Sequence, residues 1–328
     1  MIKGYFAPFI HSFKNAPYMY ITVMIALIPC IVLSVVYYGI RAGVLILASQ
    51  MLFFLFDILF SRLIRAKTFN KDAWDISAFV SGTIFALMLP PDTSLWVVIV
   101  GILFGSMVVK QFFGGVGSNI INPAIGARLF VQLIMPDKLM GFKMPFLDWY
   151  EVKSLWSLTP SKGTMTDLSS LYFTEILFGK FGTFIGIGCG IMVLFGAVYL
   201  LLKRIVRGYA FFGYLGAVVI FYPILNIDKI MAGTIFMDLL VYILTSGVLF
   251  IALFALGDFT TMPVNPLMRM FSAAICALLT MLLFKRVDAI TALCTPVLLI
   301  NLATPPLDFF TDTLTSKAAG RKKAGDAE

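Results

Sequence analysis

The feature that most constrains this chain is a series of apolar runs, each about twenty residues long, that repeats along almost its whole length. The chain has 328 residues, of which 60% are hydrophobic and only 13% are charged. A soluble domain cannot bury that much apolar surface, so the sequence predicts an integral membrane protein. The runs also leave no room for a sizeable soluble domain.

The apolar runs predict an all-α membrane protein with about ten transmembrane helices, of which the third, fifth and eighth are short or interrupted. An interfacial segment at 1–17 precedes a membrane domain at 18–310, and a basic tail follows at 311–328. The membrane domain includes one long outer loop at about 137–181. We place the spans at residues 18–38, 43–61, 76–90, 94–111, 121–136, 182–203, 209–226, 232–256, 270–285 and 288–305.

The distribution of basic residues predicts how the spans are oriented. Lysines and arginines cluster at 62–71, 203–207 and 317–323, which all fall on the N-terminal side of the membrane. Basic residues concentrate in cytoplasmic loops, so both termini are expected in the cytoplasm and the 137–181 loop outside. The same preference accounts for the net charge of +8, so we expect lipid and not nucleic acid as the partner of these charges.

The four cysteines and the single histidine argue against several kinds of metal centre. Every cysteine lies inside an apolar run and none forms a Cys-x-x-Cys pair, so neither a disulfide framework nor a zinc site is predicted. The histidine, His11, precedes the first span, which argues against a histidine-ligated haem. No metal ligands and no catalytic set are predicted in this chain.

A glycine-rich stretch at residues 112–126 interrupts the membrane domain between spans four and five. It contains four glycines, two asparagines and one proline. Glycine admits backbone conformations that other residues resist, and non-helical backbone in a bilayer is tolerated only where protein or an aqueous cavity covers it. We expect a break between two half-helices that faces a pocket, with an ordinary polar turn as the alternative.

A second break is expected around residues 257–266. Residues 81–87 resemble residues 246–252, and each segment is followed by an Asn-Pro pair that begins at Asn122 or Asn265. In the expected topology the first segment runs outward and the second inward. Similar segments of opposite direction are typical of inverted repeats, which place a site near the midplane. The sequence therefore predicts two inverted five-helix repeats with broken helices.

Three carboxylates lie in or at the ends of the apolar spans: Asp57, Asp238 and Asp258. Buried carboxylates are costly in a membrane and often mark ion or proton sites. Asp238 is predicted to be the most interior of the three and is the candidate for ion coupling. The alternative to such a role is that Asp57 lies near an interface and Asp258 at a helix end in water.

Four motifs, taken in order along the chain, resemble one family of membrane proteins. The most specific is Lys110-Gln-Phe-Phe-Gly-Gly-Val-Gly-Ser-Asn-Ile-Ile-Asn-Pro123, and the others lie at 75–91, 244–261 and 301–308. The family is that of the RnfD component of the Rnf electron-transport complex, with the NqrB component of the sodium-pumping NADH:quinone oxidoreductase as its relative. The resemblance extends from about residue 1 to residue 310. It implies a multi-pass protein of a bacterial or archaeal cytoplasmic membrane.

The resemblance also implies a flavoprotein. In the family, a flavin transferase joins FMN through its phosphate to a threonine hydroxyl on the outer face, and riboflavin binds non-covalently within the membrane part. The matching motif here is Ser157-Leu-Thr-Pro160 in the outer loop, with Ser157 beside the expected acceptor Thr159. The sequence departs from the family motif at Leu158 and at Ser161.

Residues of the first break complete the predicted site for a non-covalent flavin. Gly114 and Gly115 would let the backbone approach a planar ring closely, and the amides of Asn119 and Asn122 would match the mixed donor and acceptor edge of a flavin. Capping of the half-helices is the alternative role for the asparagines. Arg128 would pair with a flavin phosphate or a carboxylate, or extend to the lipid headgroups.

The sequence thus favours a membrane flavoprotein subunit of an ion-translocating (Na⁺ or H⁺) complex that passes electrons between flavins in a ferredoxin:NAD oxidoreductase. The chain has no dinucleotide fingerprint and no iron–sulfur cysteine set, so partner subunits are expected to bind NAD and the clusters. An outer flavin-carrying subunit is a further expected partner, and the chain is not expected to be catalytic alone. The alternative is a channel or secondary transporter for a small polar solute, because broken helices in inverted repeats suit that class equally well.

Overall fold

The computed structural model of the chain describes residues 16–65, 76–115, 117–139, 173–179, 183–206, 208–231 and 233–325. Within these ranges every regular element is helical, as the sequence predicts. Ser157 and Thr159 lie outside the described residues, as does most of the predicted outer loop. The same holds for nearly all of the predicted interfacial segment at 1–17.

Among its described residues, the first half of the chain forms four α-helices, and a short 3-10 helix at Pro136–Leu139 follows the last of them. Gly39, with φ 71° and ψ −166°, interrupts the first of them and divides it into two arms that match the first two predicted spans. The third helix continues into a π-helix at Gly105–Gln111, here called the first π-helix. The helices are α1 (Ala16–Arg65), α2 (Ile76–Leu87), α3 (Leu95–Phe104) and α4 (Pro123–Ile134).

The second half of the chain contains eight helical segments among its described residues. They are α5 (Phe173–Phe178), α6 (Gly190–Leu202), α7 (Tyr209–Leu225), α8 (Ile227–Met231), α9 (Ile235–Thr245), α10 (Val248–Phe250), α11 (Pro266–Phe284) and α12 (Ala289–Gly325). The second π-helix, Ile251–Ala255, continues α10. The last helix runs well into the predicted basic tail, because no turn intervenes before Gly325.

Helix length and apolarity identify three of the described helical segments as able to cross a membrane: Ala16–Leu63 of α1, Pro266–Phe284, and Ala289–Thr313 of α12. The segments Ile235–Thr245 and Val248–Ala255, bent by 58° at their junction, add a fourth if they form one span. Five further apolar helices are 10 to 17 residues long. The protein is therefore a multi-pass membrane protein, and each predicted span contains a helix. The number of crossings and the inverted repeat stay predictions.

Helices α1 and α2 are in close contact, and together they form one wall of the pocket between the two breaks. A Cβ atom on Gly82 would stand 2.7 Å from the backbone oxygen of Ser49, so a larger residue cannot fit there without a shift. Beside it, Gln50 Nε2 donates to Thr83 Oγ1 at 2.8 Å. Small residues and interhelical hydrogen bonds are the usual means of helix association in lipid.

Candidate functional site

Three glycines form the turn of the first break, which we define as residues 112–122 without residue 116. Gly114, Gly115 and Gly117 have φ angles of 114°, 80° and 80°, which side chains with a Cβ rarely adopt. The first π-helix ends directly before this turn and α4 begins directly after it. The predicted interruption is therefore present, whereas its interpretation as a break between two half-helices within the membrane stays a prediction.

The two breaks end in the same local structure. We define the second break as residues 256–265. Asn122 and Asn265 have nearly equal backbone angles, with φ −64° and ψ 120° for the first and φ −66° and ψ 124° for the second. In each case the side-chain oxygen accepts hydrogen bonds from two backbone N–H groups of the helix that follows, and a proline occupies the start of that helix. The capping role expected as an alternative for Asn122 is confirmed.

The similarity between the two halves does not extend to the segments before the breaks. Gly82, in the first of the two segments with similar sequences, lies inside the continuous helix α2. Gly247, in the second, has φ 82° and separates α9 from α10. The shared sequence therefore adopts one conformation in the first half and another in the second.

A hydrogen bond joins the two breaks directly. Asn122 Nδ2 donates to Asp258 Oδ2 at 3.3 Å, while Asp258 Oδ1 accepts from the backbone N–H and the hydroxyl of Thr260 at 3.0 and 2.9 Å. Burial raises the pKa of the Asp258 carboxyl, and the bonds from Thr260 and the positive charge of Arg269 oppose that rise. Asp258 thus lies just beyond the end of the second π-helix, half-buried, with its carboxyl hydrogen-bonded to both breaks.

A pocket that is partly open to the outside, here called the cavity, has about 610 Å³ of empty space including open solvent and lies where the two breaks meet α1, α2, α6 and the second π-helix. Its walls include the aromatic rings of Tyr20, Phe254 and Phe259. Asn119 Oδ1 is buried and accepts no hydrogen bond from any described residue. Unsatisfied buried acceptors are rare, and a concave apolar site with a few polar groups is typical of ligand pockets. The polar lining consists of Ser77, Ser81, Asn119, Asn122, Asp258 and Thr260.

The structure brings some of the predicted flavin-site residues together and separates others. Asn119 and Asn122 line the cavity, whereas Gly114 and Gly115 form the turn beside it and do not line it. Arg128 also lies apart from the cavity lining. The first break therefore contributes its asparagines to the cavity and its glycines to the shape of the turn.

Arg128 is completely buried. Its Nε donates to Met88 O at 2.8 Å, its Nη1 donates to Gln132 Oε1 at 2.9 Å, and its guanidinium lies 5.6 Å from the centre of the Phe184 ring. The expectation that Arg128 extends to the lipid headgroups is wrong, because helix α4 directs this side chain into the protein. Pairing with a flavin phosphate stays a prediction.

Asp238 lies in the first turn of α9, near the end of a helix. Its side chain is 23% exposed, lies 3.6 Å from Lys229 Nζ, and accepts a hydrogen bond from Thr234 Oγ1 at 2.9 Å. The expectation that Asp238 is the most interior carboxylate is wrong, because the Asp57 side chain is only 7% exposed. An ion-coupling role for Asp238 stays a prediction.

A buried polar cluster around Asp57 was not predicted from the sequence. Lys110 Nζ, with a side chain that is 0% exposed, lies 3.0 Å from Asp57 Oδ2 and donates to Ser77 Oγ at 2.8 Å. Gln111 Nε2 donates to the other carboxylate oxygen and, at 3.3 Å, to Asp57 O. Ser77 also lines the cavity, so the cluster adjoins it. The sequence did contain a sign of this cluster, because Asp57 and Lys110 are opposite charges inside two apolar runs. Buried charges in membranes are usually paired.

Comparisons with known proteins confirm the resemblance seen in the motifs. The model of the NQR2, RnfD, RnfE family matches residues 5–317. The D component of a Na⁺-translocating ferredoxin:NAD⁺ oxidoreductase complex from Acetobacterium woodii is 28% identical, with 88% of this chain and 87% of that protein covered. The D component of an ion-translocating oxidoreductase complex from Shewanella frigidimarina is 24% identical, with 88% and 90% covered. The B component of a Na⁺-translocating NADH-quinone reductase from Pseudoalteromonas atlantica is 29% identical over 45% of this chain and 37% of its own length.

Proposed function

The chain belongs to the NQR2, RnfD, RnfE family, and on that basis we propose that it is a membrane subunit of an ion-translocating electron-transport complex. The observation that carries the proposal is the nearly full-length match to the D component of a Na⁺-translocating ferredoxin:NAD⁺ oxidoreductase complex. In this proposal the chain passes electrons between flavins while the complex moves Na⁺ or H⁺. Partner subunits bind the nicotinamide and the iron–sulfur clusters, and one of them carries a further flavin on the outer face.

The cavity between the two breaks is the proposed site of a non-covalent flavin, riboflavin. The residues present fit the group, because the buried oxygen of Asn119 has no donor among the described residues and a flavin edge offers an N–H. Asp258 adds a carboxylate, and the aromatic walls offer surfaces for a planar ring. The flavin would supply the one-electron chemistry, while this chain binds and orients it. The oxygens of Asn119 and Asp258 would hold the flavin edge that offers N–H donors.

A second flavin, FMN, is proposed on Thr159, attached by a flavin transferase to the Ser157-Leu-Thr-Pro160 motif. The support for this site is the motif alone. A hydroxyl on accessible backbone suits a phosphoester, and a flavin anchored in this way cannot diffuse away between electron-transfer steps.

Two further elements complete the proposal. One is ion coupling through Asp238, and the other is a ten-span inverted repeat. Asp238 has Lys229 as a partner, so a cation that binds its carboxylate would compete with the ammonium of Lys229. The support for the repeat is that a π-helix, a break and an Asn-Pro cap follow one another in both halves of the chain.

The flavin content of the purified Thr159→Ala protein tests the cavity site. This variant removes the proposed covalent flavin, so any flavin released by acid comes from a non-covalent site. We expect a stoichiometric release, and we expect Asn119→Leu in the same background to abolish it. Ser118→Ala, beside Asn119 but outside the cavity lining, is the matched control. Undiminished release from the Asn119→Leu protein would place the flavin elsewhere, and solute uptake by a flavin-free protein in vesicles would support the channel alternative.

A further inference from the structure

Helix α12 is the one element whose side chains bind the backbone of both breaks in the described part of the chain. Asn301 is 0% exposed and does not line the cavity. With its amide oriented as its neighbours require, Oδ1 accepts from the backbone N–H of Asn122 at 3.1 Å, and Nδ2 donates to Thr261 O at 3.2 Å and to Val297 O at 3.3 Å. One buried side chain therefore connects the end of the first break to the second break.

Two further residues on the same face of α12 bind the second break only. Thr304 Oγ1 lies 3.1 Å from Thr261 O and 3.0 Å from Ile300 O of its own helix, so the two carbonyls share its one hydroxyl proton. Asp308 Oδ1 accepts from Val264 N–H at 3.0 Å. Positions 301, 304 and 308 follow the spacing that brings side chains to one face of a helix. Thr304 is therefore a natural control for Asn301. Both side chains contact Thr261 O, but only Asn301 also contacts the first break.

We propose that Asn301 is a positioning residue that holds the two breaks at a fixed separation and thereby sets the shape of the cavity. Besides Asn301, the Asn122–Asp258 bond is the direct polar link between the breaks that the described residues show, and at 3.3 Å it is long. Without Asn301, the backbone N–H of Asn122 loses its buried acceptor and Thr261 O keeps only the shared hydroxyl of Thr304, which leaves the breaks free to separate. The inference rests on the proposed flavin site for its functional consequence but not for its structural one.

The structural consequence can be measured without any ligand. Hydrogen exchange of the full-length protein should show faster exchange in peptides from both breaks when Asn301→Leu is compared with the parent. Thr304→Val should accelerate exchange in the second break only, and Thr304→Ser, which keeps the hydroxyl, should restore the parent behaviour. Leu302→Ala, at an exposed position on the same helix, is the control that should change neither break. Acceleration in one break only, or in neither, for Asn301→Leu would overturn the proposal.

The functional consequence is measured with riboflavin, added to Thr159→Ala protein from which the non-covalent flavin has been removed. We expect Asn301→Leu to weaken riboflavin binding by roughly tenfold, as the loss of buried hydrogen bonds implies. Asn301→Asp gives a sharper result, because a protonated carboxyl can donate to Thr261 O and accept from Asn122 N–H, whereas a carboxylate can only accept. The affinity of this variant should therefore recover as the pH falls.

The parent protein supplies the reference for this pH profile. The other charged groups near the breaks, Asp258, Arg269 and Asp308, are the same in parent and variant, so the difference between the two profiles reports position 301. Equal affinities for parent and variants at every pH would overturn the proposal. A parent that binds no riboflavin would refute the proposed flavin site, and the exchange experiment would then decide the positioning role alone.

Discussion

At the scale of single residues, the side chains around the cavity show which roles a sequence reveals. Asn122 was recognisable because an Asn-Pro pair at the start of an apolar run is a common helix cap, and it does cap α4. The ion pair of Asp57 and Lys110 was not recognisable from the sequence, because the two residues are 53 positions apart. Only the packing of α1 against the first π-helix brings them together. Asn301 was visible only as part of a motif, since its role depends on two distant backbone groups.

Removal of the charge on Lys110 provides the residue-scale prediction. Lys110→Met leaves the buried Asp57 carboxylate without this ammonium, and loss of one partner of a buried ion pair costs about 3–5 kcal/mol. We expect the free energy of unfolding, measured by denaturant titration in detergent, to fall by that order. Lys138→Met, at an exposed lysine, should have little effect.

A double variant distinguishes a charge effect from a packing effect at the same site. Asp57→Asn combined with Lys110→Met removes both charges and keeps an amide oxygen to accept from Gln111. Most of the lost stability should return. A double variant as unstable as Lys110→Met alone would show that packing, and not the loss of the opposite charge, causes the loss of stability.

At the scale of helices, apolar length predicted where the segments lie, but it did not predict how they are interrupted. All predicted spans contain helices, whereas the two π-helices and the bend at Gly247 depend on tertiary packing that no local pattern reports. The last helix continues past its predicted end through Pro305 and Pro306. Proline usually ends a helix, so the sequence favoured an earlier end.

The titration of Asp258 provides the prediction at this scale, because this carboxyl links the two breaks. Burial raises its pKa, so the folded protein binds this proton more tightly than the unfolded chain does. The stability that this group contributes is complete below the pKa of an unfolded aspartate and is lost as the pH rises through the raised value. Asp258→Asn, which carries no charge at any pH, should therefore gain thermal stability relative to the parent as the pH increases. Parallel melting profiles for the two proteins would contradict this.

At the scale of the whole molecule, the family match over residues 5–317 and the helical architecture agree with a multi-pass subunit of a membrane complex. The predicted orientation places both termini in the cytoplasm and the loop with Thr159 outside. Single cysteines introduced at Ser161 and at Ser316 should therefore react with an impermeant reagent from opposite sides of the membrane. The native cysteines are buried and should contribute little labelling. Labelling of both positions from one side would refute the orientation and the ten-span topology together.

The visible absorption spectrum of the purified full-length protein, produced together with a flavin transferase, tests the proposed electron transfer most directly. We expect a flavin spectrum that bleaches on reduction. After denaturation, part of the flavin should stay on the chain and part should be released, and Thr159→Ala should remove the retained part alone. Retention in that variant would move the attachment to another hydroxyl, with Thr164 and Thr166 tested next. A protein that shows no flavin absorption in any of these preparations would contradict the proposal that this chain transfers electrons between flavins.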